Sequence, residues 1–393
     1  MENDFKVKFL NCKESDLSTI GFDKTFAQRA IDKHRFKTLK IYGLSCAQAN
    51  IIKQTALSSG TDCAVHREVI TGKVDSSDCI LSGSIDELKK ISEKLKYQPL
   101  KLSVLAQNIK TILAEELIPI NVRDYVLTWQ EPYLMGILNI TPDSFSDGGL
   151  YNDLNKAIDH YRELVQNGAD IIDIGGESTR PYSCMVQPQE EQNRVLPVIE
   201  KIREFDKSTI LSIDTRNAST ARKALELGAD IINDVSATEW DSEMTNVAIE
   251  HKCPIILGHA SASPDVMQNH TEYKDVVEDI FNYFCKKIDL LTFLGIEKHN
   301  IILDPGIGFG KTTSQNFDII NRLEEFKTLG CPVLIGHSRK KFIRETINSD
   351  DIQLLDEATA ILTQRLIEQK VNIIRVHNVK LNNVTKKLCK SFF

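Results

Sequence analysis

The amino-acid sequence predicts an α/β protein in which a smaller α/β accessory domain, residues 1–130, precedes a TIM (β/α)8 barrel, residues 131–393. From Tyr133 onward, short apolar runs typical of buried parallel strands alternate with amphipathic helical segments. Eight such β/α units in roughly 260 residues is the size and count of a TIM barrel. Polar or ionisable residues follow all eight runs, at the end of the strands where barrel active sites form. An open doubly wound sheet stays possible, because spacing alone does not show closure.

The first 130 residues also alternate apolar runs with amphipathic stretches, which predicts a small α/β domain. Ser84 followed by Glu87 is a capping box that opens one of its helices. No group of catalytic residue types occurs in this segment, so its role stays open. The predicted strands span residues 39–44 and 79–82, and the predicted helices span residues 47–58, 85–96 and 104–117.

The predicted barrel contains an internal repeat. Residues 168–172 and residues 228–232 both read Gly-Ala-Asp-Ile-Ile, and both stand at a step from helix to strand. The predicted strands span residues 134–138, 171–174, 210–213, 231–232, 255–257, 301–303, 333–335 and 372–376. The predicted helices between them include residues 154–166, 190–203, 218–226, 273–294, 315–327 and 356–369.

Composition excludes several classes of protein. With 41% hydrophobic and 26% charged residues, the 393-residue chain has the composition of an ordinary soluble protein. A formal charge of -7 and a pI near 5.8 argue against nucleic-acid binding. No apolar run reaches the roughly 18 residues of a membrane helix, and no signal peptide opens the chain. The nine cysteines are scattered without a CxxC pair, which predicts reduced thiols in the cytoplasm and no zinc site.

The stretch MGILNITPDSFSDGG, residues 135–149, passes abruptly from an apolar strand to a polar segment. Asn139 stands at the strand end, and the proline and glycines that follow predict a loop that can move. A carboxamide beside hydroxyls and carboxylates suits a hard cation and a phosphorylated ligand. The mobile-loop candidates are Thr141, Asp143, Ser144, Phe145 and Asp147.

The other strand ends indicate the chemistry of the ligand. Asp214, Asn233 and Asp304 supply acceptors that match a flat heterocycle with an amino-pyrimidinone edge. A second group supplies positive charge or donors that suit phosphate, namely Arg180, Lys340, Arg375 and His377. We therefore expect a polar heterocycle at the floor of the site and a phosphate at its mouth.

One glycine-rich segment resembles a phosphate loop without being one. Residues 306–312 read GIGFGKT, but Pro305 occupies the position of the first required glycine. The glycine spacing does not fit a dinucleotide-binding loop either. We interpret these glycines as allowing the backbone to turn tightly against a bound ring.

From Tyr133 to Phe393 the sequence resembles the dihydropteroate synthase family of folate biosynthesis. Some members of that family also have an N-terminal extension of similar size, and this one shows no pyrophosphokinase signature. The shared motifs, in family order, are LNITPDSFSDGG (138–149), GADIIDIGGESTRP (168–181), SIDT (212–215), ND (233–234), DPGIGFGK (304–311), SRK (338–340) and RVH (375–377).

The resemblance implies a transferase that condenses 6-hydroxymethyl-7,8-dihydropterin diphosphate with 4-aminobenzoate to give 7,8-dihydropteroate and diphosphate. It further implies a homodimer that is a target of sulfonamides, and a loop, residues 141–149, that closes over both substrates. It assigns the pterin to Asp214, Asn233, Asp304 and Lys340; Mg²⁺ and diphosphate to Asn139; the departing anion to Arg375 and His377; and the aminobenzoate pocket to Thr179, Arg180, Pro181, Phe309 and Ser338.

The sequence departs from the family at four positions. Gly258 and Ala260 flank His259, where methionines are usual, and Gly258 is expected to remove bulk from the wall of the pterin pocket. Tyr182 replaces a common glycine, and Asn378 replaces a common aspartate. Two alternatives therefore stay open, a pterin-dependent methyltransferase and a catalytically silent pterin-binding protein.

Overall fold

The computed structural model describes residues 6–140, 150–177, 186–263 and 266–392. The chain divides into two compact units, residues 1–116 and residues 117–393. Among the described residues, no helix combines the length and the apolar character needed to cross a membrane. Several sites predicted from sequence lie outside the described residues, namely Thr141, Asp143, Ser144, Phe145, Asp147, Thr179, Arg180, Pro181 and Tyr182.

The first unit is a three-stranded antiparallel sheet with helices. Its strand order is β1, β3, β2, and its apolar core includes Leu81, Leu88 and Ile91, which are inaccessible to solvent. The capping box is confirmed, because the amide of Glu87 donates to Ser84 Oγ and the amide of Ser84 donates to Glu87 Oε2. The elements are α1 (Glu14–Thr19), α2 (Ala27–His34), β1 (Phe36–Leu44), α3 (Cys46–Leu57), β2 (Asp62–Val65), β3 (Ser77–Ser84), α4 (Ile85–Leu95) and α5 (Leu102–Ala114).

The second unit contains a hairpin, β4 (Ile120–Val122) and β5 (Tyr125–Leu127), followed by eight parallel strands and their helices. The eight strands are β6 (Tyr133–Asn139), β7 (Ile171–Gly175), β8 (Ile210–Asp214), β9 (Ile231–Asp234), β10 (Ile255–Gly258), β11 (Ile301–Asp304), β12 (Leu334–Ile335) and β13 (Ile373–Val376). The helices are α6 (Leu150–Gln166), α7 (Pro188–Phe205), α8 (Ala218–Glu226), α9 (Glu243–His251), α10 (Val276–Leu294), α11 (Thr313–Asn321), α12 (Leu323–Lys327), α13 (Lys341–Ile347), α14 (Ile352–Glu368) and α15 (Val379–Cys389).

The sheet of the second unit closes into a barrel. Its strands run in the order β11, β10, β9, β8, β7, β6, β13, β12. A parallel bridge between Leu303 and Val333 joins the two outer strands, and the amide of Leu303 donates to the carbonyl of Pro332 at 2.8 Å. The open-sheet alternative is therefore excluded, and all eight predicted strands are present.

Three features of the second unit differ from the sequence prediction. The β4–β5 hairpin belongs to this unit, because Ile120, Val122 and Leu127 pack into the apolar cluster at the amino ends of the barrel strands. The units accordingly divide after residue 116, whereas the sequence suggested residue 130. The predicted helix over residues 315–327 is two helices that meet at Arg322, and α9, α13 and α15 had not been predicted.

Candidate active site

Side chains alternate between the two faces of each strand, and this alternation determines which residues line the floor of the barrel. An inward isoleucine near the amino end of a strand is followed two residues later by a side chain on the same face. The isoleucines, including Ile210 and Ile302, form one apolar layer with the β4–β5 hairpin. The residues two positions further along are polar on five strands, namely Asp173, Ser212, Asn233, Asp304 and Arg375. Alternation thus places polar groups directly above an apolar plug.

Arg375 lies at the centre of this polar layer. Its Nε donates to Asp173 Oδ2 at 2.5 Å and its Nη2 donates to Asp214 Oδ2 at 2.6 Å. Asn233 Nδ2 donates to the same Asp173 oxygen at 3.0 Å. Burial opposes the charge of Arg375, but the two aspartates outweigh burial and raise the pKa of the guanidinium above its ordinary value.

Asp173 is a site residue that the sequence analysis missed. Its side chain is fully buried, and its Oδ1 has no hydrogen-bond partner among the described residues. A buried carboxylate oxygen without a donor is costly, so it marks a place where a ligand or an ordered water is expected to donate. The available signal was its position two residues after Ile171, on the inward face of β7.

Asp214 ends strand β8 and is half-buried at the floor. Burial raises its pKa to about 7, although the Arg375 guanidinium opposes that shift and the Asp173 carboxylate adds to it. Within the described part of the chain, Asp214 Oδ1 and Asn233 Oδ1 accept no hydrogen bond. These two acceptor atoms are therefore available to donors from outside the described residues, such as a ligand.

Asp304, at the end of β11, faces two lysines. Its Oδ1 accepts the amide of Gly306 at 2.8 Å, and burial raises its pKa while Lys340 and Lys311 oppose the shift. Lys340 Nζ donates to the carbonyl of Ile307 and lies 4.1 Å from the centre of the Phe309 ring. Burial lowers the pKa of Lys340 to about 8, against the pull of Asp304. This cation therefore sits between a carboxylate and an aromatic face.

The last two strand ends are tied to each other and to helix α14. Ser338 Oγ lies 2.9 Å from His377 Nδ1 and accepts the His377 amide at 3.2 Å. Asp356 of α14 accepts Arg339 Nε at 2.6 Å and Asn378 Nδ2 at 2.9 Å. One buried carboxylate thus fixes the loops that carry Ser338 and His377.

Asn139 ends strand β6 beside Gly175, and Asp214 lies on the other side of the same glycine. Its carboxamide is half-buried and makes no hydrogen bond within the described residues. In that part of the chain, no group of three or more His, Cys, Asp or Glu side chains could hold a metal ion. A cation here would depend on Asn139 and on oxygens of a ligand.

The structure brings nine of the predicted site residues to the carboxyl ends of the barrel strands: Asn139, Asp214, Asn233, Asp304, Phe309, Ser338, Lys340, Arg375 and His377. Arg375, predicted to meet a departing anion, forms ion pairs with two aspartates, Asp173 and Asp214. The other predicted substrate contacts, Thr179, Arg180 and Pro181, fall outside the described residues.

Gly258 ends strand β10, two residues after the inward Ile256. A Cβ at this position would lie 2.7 Å from Val235 Cα and 2.9 Å from the Val235 carbonyl oxygen, so the backbone after β9 approaches β10 closely here. A side chain at this position would require that backbone to shift, and the expectation that Gly258 removes bulk from the wall of the pterin pocket stays a prediction.

Known proteins match the part of the chain that carries the candidate active site. The family model for pterin binding enzyme matches residues 135–377. A dihydropteroate synthase from Synechocystis sp. is 42% identical over 273 residues, which are 69% of this chain and 93% of that protein. The solved Xanthomonas albilineans dihydropteroate synthase with 4-aminobenzoic acid has a TM-score of 0.66 and 32% identity, covering 70% of this chain and 98% of that one.

One relative also matches part of the first unit. A probable bifunctional folylpolyglutamate synthase/dihydropteroate synthase from Haloferax volcanii is 37% identical over 352 residues, a stretch longer than the second unit. The match covers 85% of this chain but 41% of that protein. Part of the first unit therefore matches a protein that also carries a further region.

Proposed function

Because the chain belongs to the pterin-binding enzyme family and is a dihydropteroate synthase, we propose that the polar floor and charged mouth of its barrel bind and join the two substrates. In this reaction of folate synthesis, the bond between the pterin methylene and the diphosphate oxygen breaks. A bond from that carbon to the 4-aminobenzoate nitrogen forms, and the amine releases a proton. The roles of individual residues below are our proposals.

The unused acceptors of the floor support pterin binding. Asp214 Oδ1, Asn233 Oδ1 and the second oxygen of Asp304 accept no hydrogen bond in the described structure. The amino-pyrimidinone edge of a pterin presents ring N–H and NH₂ donors, which pair with such acceptors. This surplus of acceptors above an apolar plug is the observation on which the proposal rests.

The mouth suits a diphosphate. Lys340 and His377 provide cationic or donor groups near the strand ends, while Arg375 is already oriented by Asp173 and Asp214. Fixed groups of this kind stabilise charge where it develops without reorganising during the reaction. Negative charge grows on the diphosphate and positive charge on the pterin methylene, so carboxylates below and cations above match the transition state.

Mg²⁺ fits the donor set that is present. Mg²⁺ usually keeps several waters and binds through few protein oxygens together with substrate phosphates. Asn139 offers one carboxamide oxygen that no described residue occupies, and we propose that it holds the ion against the diphosphate. When bound, the ion would neutralise charge on the departing group.

The aminobenzoate site is proposed at Phe309 and Ser338, completed by Thr179, Arg180 and Pro181. Phe309 presents a ring face beside Lys340, and Ser338 is fixed by His377. The related Xanthomonas albilineans enzyme has been solved with 4-aminobenzoic acid. An arylamine attacks a carbocation-like methylene without a strong base, so these residues need only bind and orient it.

The same proposal extends to assembly and location. Helices α14 and α15 leave an apolar face exposed, in which Ile361, Val384 and Leu388 are each at least half accessible. Such a patch suits a self-association surface, and we propose a homodimer through it. We also propose a cytoplasmic location, because the eight described cysteines are all free thiols.

Two measurements on the full chain test the function. Isothermal titration with pterin diphosphate, with and without Mg²⁺, measures the first binding step. Diphosphate release in the presence of 4-aminobenzoate then measures turnover. We expect binding that Mg²⁺ strengthens, and release that requires the arylamine. Binding without release would contradict the proposed synthase activity, and Mg²⁺-independent affinity would remove Asn139 from the metal site.

A further inference from the structure

Lys311 is a buried cation to which the reaction above assigns no role. The residue is only 4% exposed to solvent. Nζ donates to the carbonyl oxygens of Gly306 and Phe309, each at 2.9 Å, and to that of His259 at 3.2 Å. It also lies 3.1 Å from His259 Nδ1. An ammonium has three protons, so these acceptors use its full donor capacity.

No carboxylate hydrogen bonds with this lysine within the described structure, which is unusual for a buried charge. Burial lowers its pKa to about 7, with Asp304 opposing the shift and Lys340 adding to it. Burial also lowers the pKa of His259 well below its ordinary value, so the neutral imidazole offers Nδ1 as an acceptor. Backbone dipoles, rather than a counter-ion, therefore hold the ammonium.

The acceptors of Lys311 belong to two loops. His259 follows strand β10, and Gly306 and Phe309 follow strand β11. Gly306 has φ +69°, and a Cβ there would lie 1.9 Å from the His259 carbonyl oxygen, so the two backbones are in direct contact. The lysine donates to both sides of this contact and closes the turn that presents Phe309.

The neighbouring pterin contact, Asp304, has a support besides Lys311. Asp304 belongs to strand β11, and its carboxylate is held by the Gly306 amide at 2.8 Å. Phe309 has no strand to fix it, and its backbone hydrogen bonds are the amide to Gly306 and the carbonyl to Lys311. Lys311 contacts both ends of this loop, at Gly306 and at Phe309, but the Asp304 end is also held by a strand and the Phe309 end is not.

We propose that Lys311 is a positioning residue for the aminobenzoate substrate, because its contacts with the β10 and β11 loops fix Phe309 opposite Lys340. The inference rests on the proposed placement of Phe309 at the aminobenzoate site. It assigns Lys311 to recognition of the arylamine and leaves pterin binding to the strand residues.

The test compares Lys311→Met with Lys286→Met, a matched loss of an exposed lysine on α10. For Lys311→Met we expect the KM for 4-aminobenzoate to rise about tenfold, while the affinity for pterin diphosphate changes by less than about threefold. Lys286→Met should have the same KM for 4-aminobenzoate and the same affinity for pterin diphosphate as the parent. An unchanged aminobenzoate KM, or an equal loss of both affinities, would overturn the proposal.

A double-mutant cycle with Phe309→Ala asks whether Lys311 acts through the ring. We expect Lys311→Met to add little to the aminobenzoate KM once Phe309 is absent, and fully additive effects would overturn the proposal. Lys311→Gln, which keeps a neutral donor, serves if the methionine variant does not fold. If neither variant folds, the lysine supports the barrel itself, and the proposal fails. An inactive parent, or a Phe309→Ala variant with normal KM, would instead refute the proposed function or the site assignment.

Discussion

The two ends of the barrel both carry buried aspartates beside cations, but they use them differently. At the amino end, Asp230 accepts Arg203 Nη2 at 2.8 Å and the Leu211 amide at 2.9 Å, and its other oxygen pairs with Arg123. At the carboxyl end, Asp173 Oδ1 accepts nothing among the described residues and Asp214 uses one oxygen. Among the described residues, the carboxylate of the first cluster has partners on both oxygens, whereas the carboxylates of the second cluster keep unused oxygens.

The Gly-Ala-Asp-Ile-Ile repeat explains the amino end. The amide of Asp170 donates to the Leu134 carbonyl and its carboxylate accepts the Leu134 amide, each at 2.8 Å. Asp230 makes the same pair of bonds with Leu211, at 2.7 and 2.9 Å. Each aspartate therefore satisfies both backbone groups at the start of the preceding strand.

The comparison shows that a buried charge does not by itself mark a binding site in this barrel. The two ends differ in whether their buried carboxylates have hydrogen-bond partners among the described residues. Full pairing at the amino end stabilises the fold. Burial shifts pKa values at both ends, as it raises the pKa of Asp230 at the amino end and that of Asp214 at the carboxyl end. The unused acceptors at the carboxyl end are what is typical of a binding site. Variants at the two ends should therefore separate stability from ligand affinity.

The largest effect is expected from Asp230→Ala. It leaves Arg203, which is 10% exposed, without its carboxylate partner, and a broken buried pair costs about 3–5 kcal/mol of the free energy of unfolding. Asp170→Ala should cost less, because that carboxylate is 35% exposed. Urea unfolding measures both. Loss of pterin affinity in the folded variant, with normal stability, would contradict the division between the two ends.

Lys340→Ala should reduce ligand affinity and leave the stability of the fold nearly unchanged. Removing this half-buried cation of the mouth should weaken binding of pterin diphosphate about 100-fold and leave the melting temperature within a few degrees. Asp304→Ala should behave in the same way. Calorimetric titration measures the affinity, with Lys341→Ala as control, since that side chain is 73% exposed. Retained affinity in Lys340→Ala would remove this residue from the site.

Asp214→Asn should change how stability depends on pH. The folded protein raises the pKa of Asp214 to about 7 through burial. Protonation of Asp214 therefore contributes to the stability of the folded protein. This contribution is fully present below about pH 4 and is lost as pH rises through 7. Asparagine does not titrate. The melting temperature of the variant minus that of the parent should therefore increase by a few degrees from pH 5 to pH 8. A constant difference across this range would show that the pKa is not raised.

Asn378→Asp should have the smallest effect. The new carboxylate would still cap α15, as Asn378 Oδ1 caps it through the Leu381 amide. It would also face Asp356 Oδ2, which Asn378 Nδ2 now contacts at 2.9 Å. We expect a loss of about 1 kcal/mol near pH 7 that shrinks from about pH 5 to about pH 3 as the new carboxylate protonates. Asn378→Ser, which keeps a cap without charge, is the control for thermal unfolding, and an equal loss in both variants would refute the repulsion.

The sequence was sufficient to predict the strands and to place nine candidate residues at their carboxyl ends. Predicted strands of two to five residues located all eight barrel strands, and polar residues after them marked the carboxyl ends. Helix α9 has the same length as α8, which was predicted, but its apolar residues are less segregated to one face, so its helical periodicity is weak. Asp173 lies within β7 and not at its end, so its position did not mark it as a site residue.

By itself, the sequence determined which residues face inward, because alternation along a strand is a local property of the backbone. Only the tertiary structure decided which of those residues meet. Arg375 reaches Asp173 from 202 positions away and Asp214 from 161 positions away, because the strand order places β13 two strands from β7 and three from β8, and the curved sheet turns their inward side chains toward one another. Lys311 likewise joins two loops whose proximity depends on the pairing of β10 with β11. Contacts of this kind depend on the order and curvature of the strands in the sheet, which no local pattern encodes.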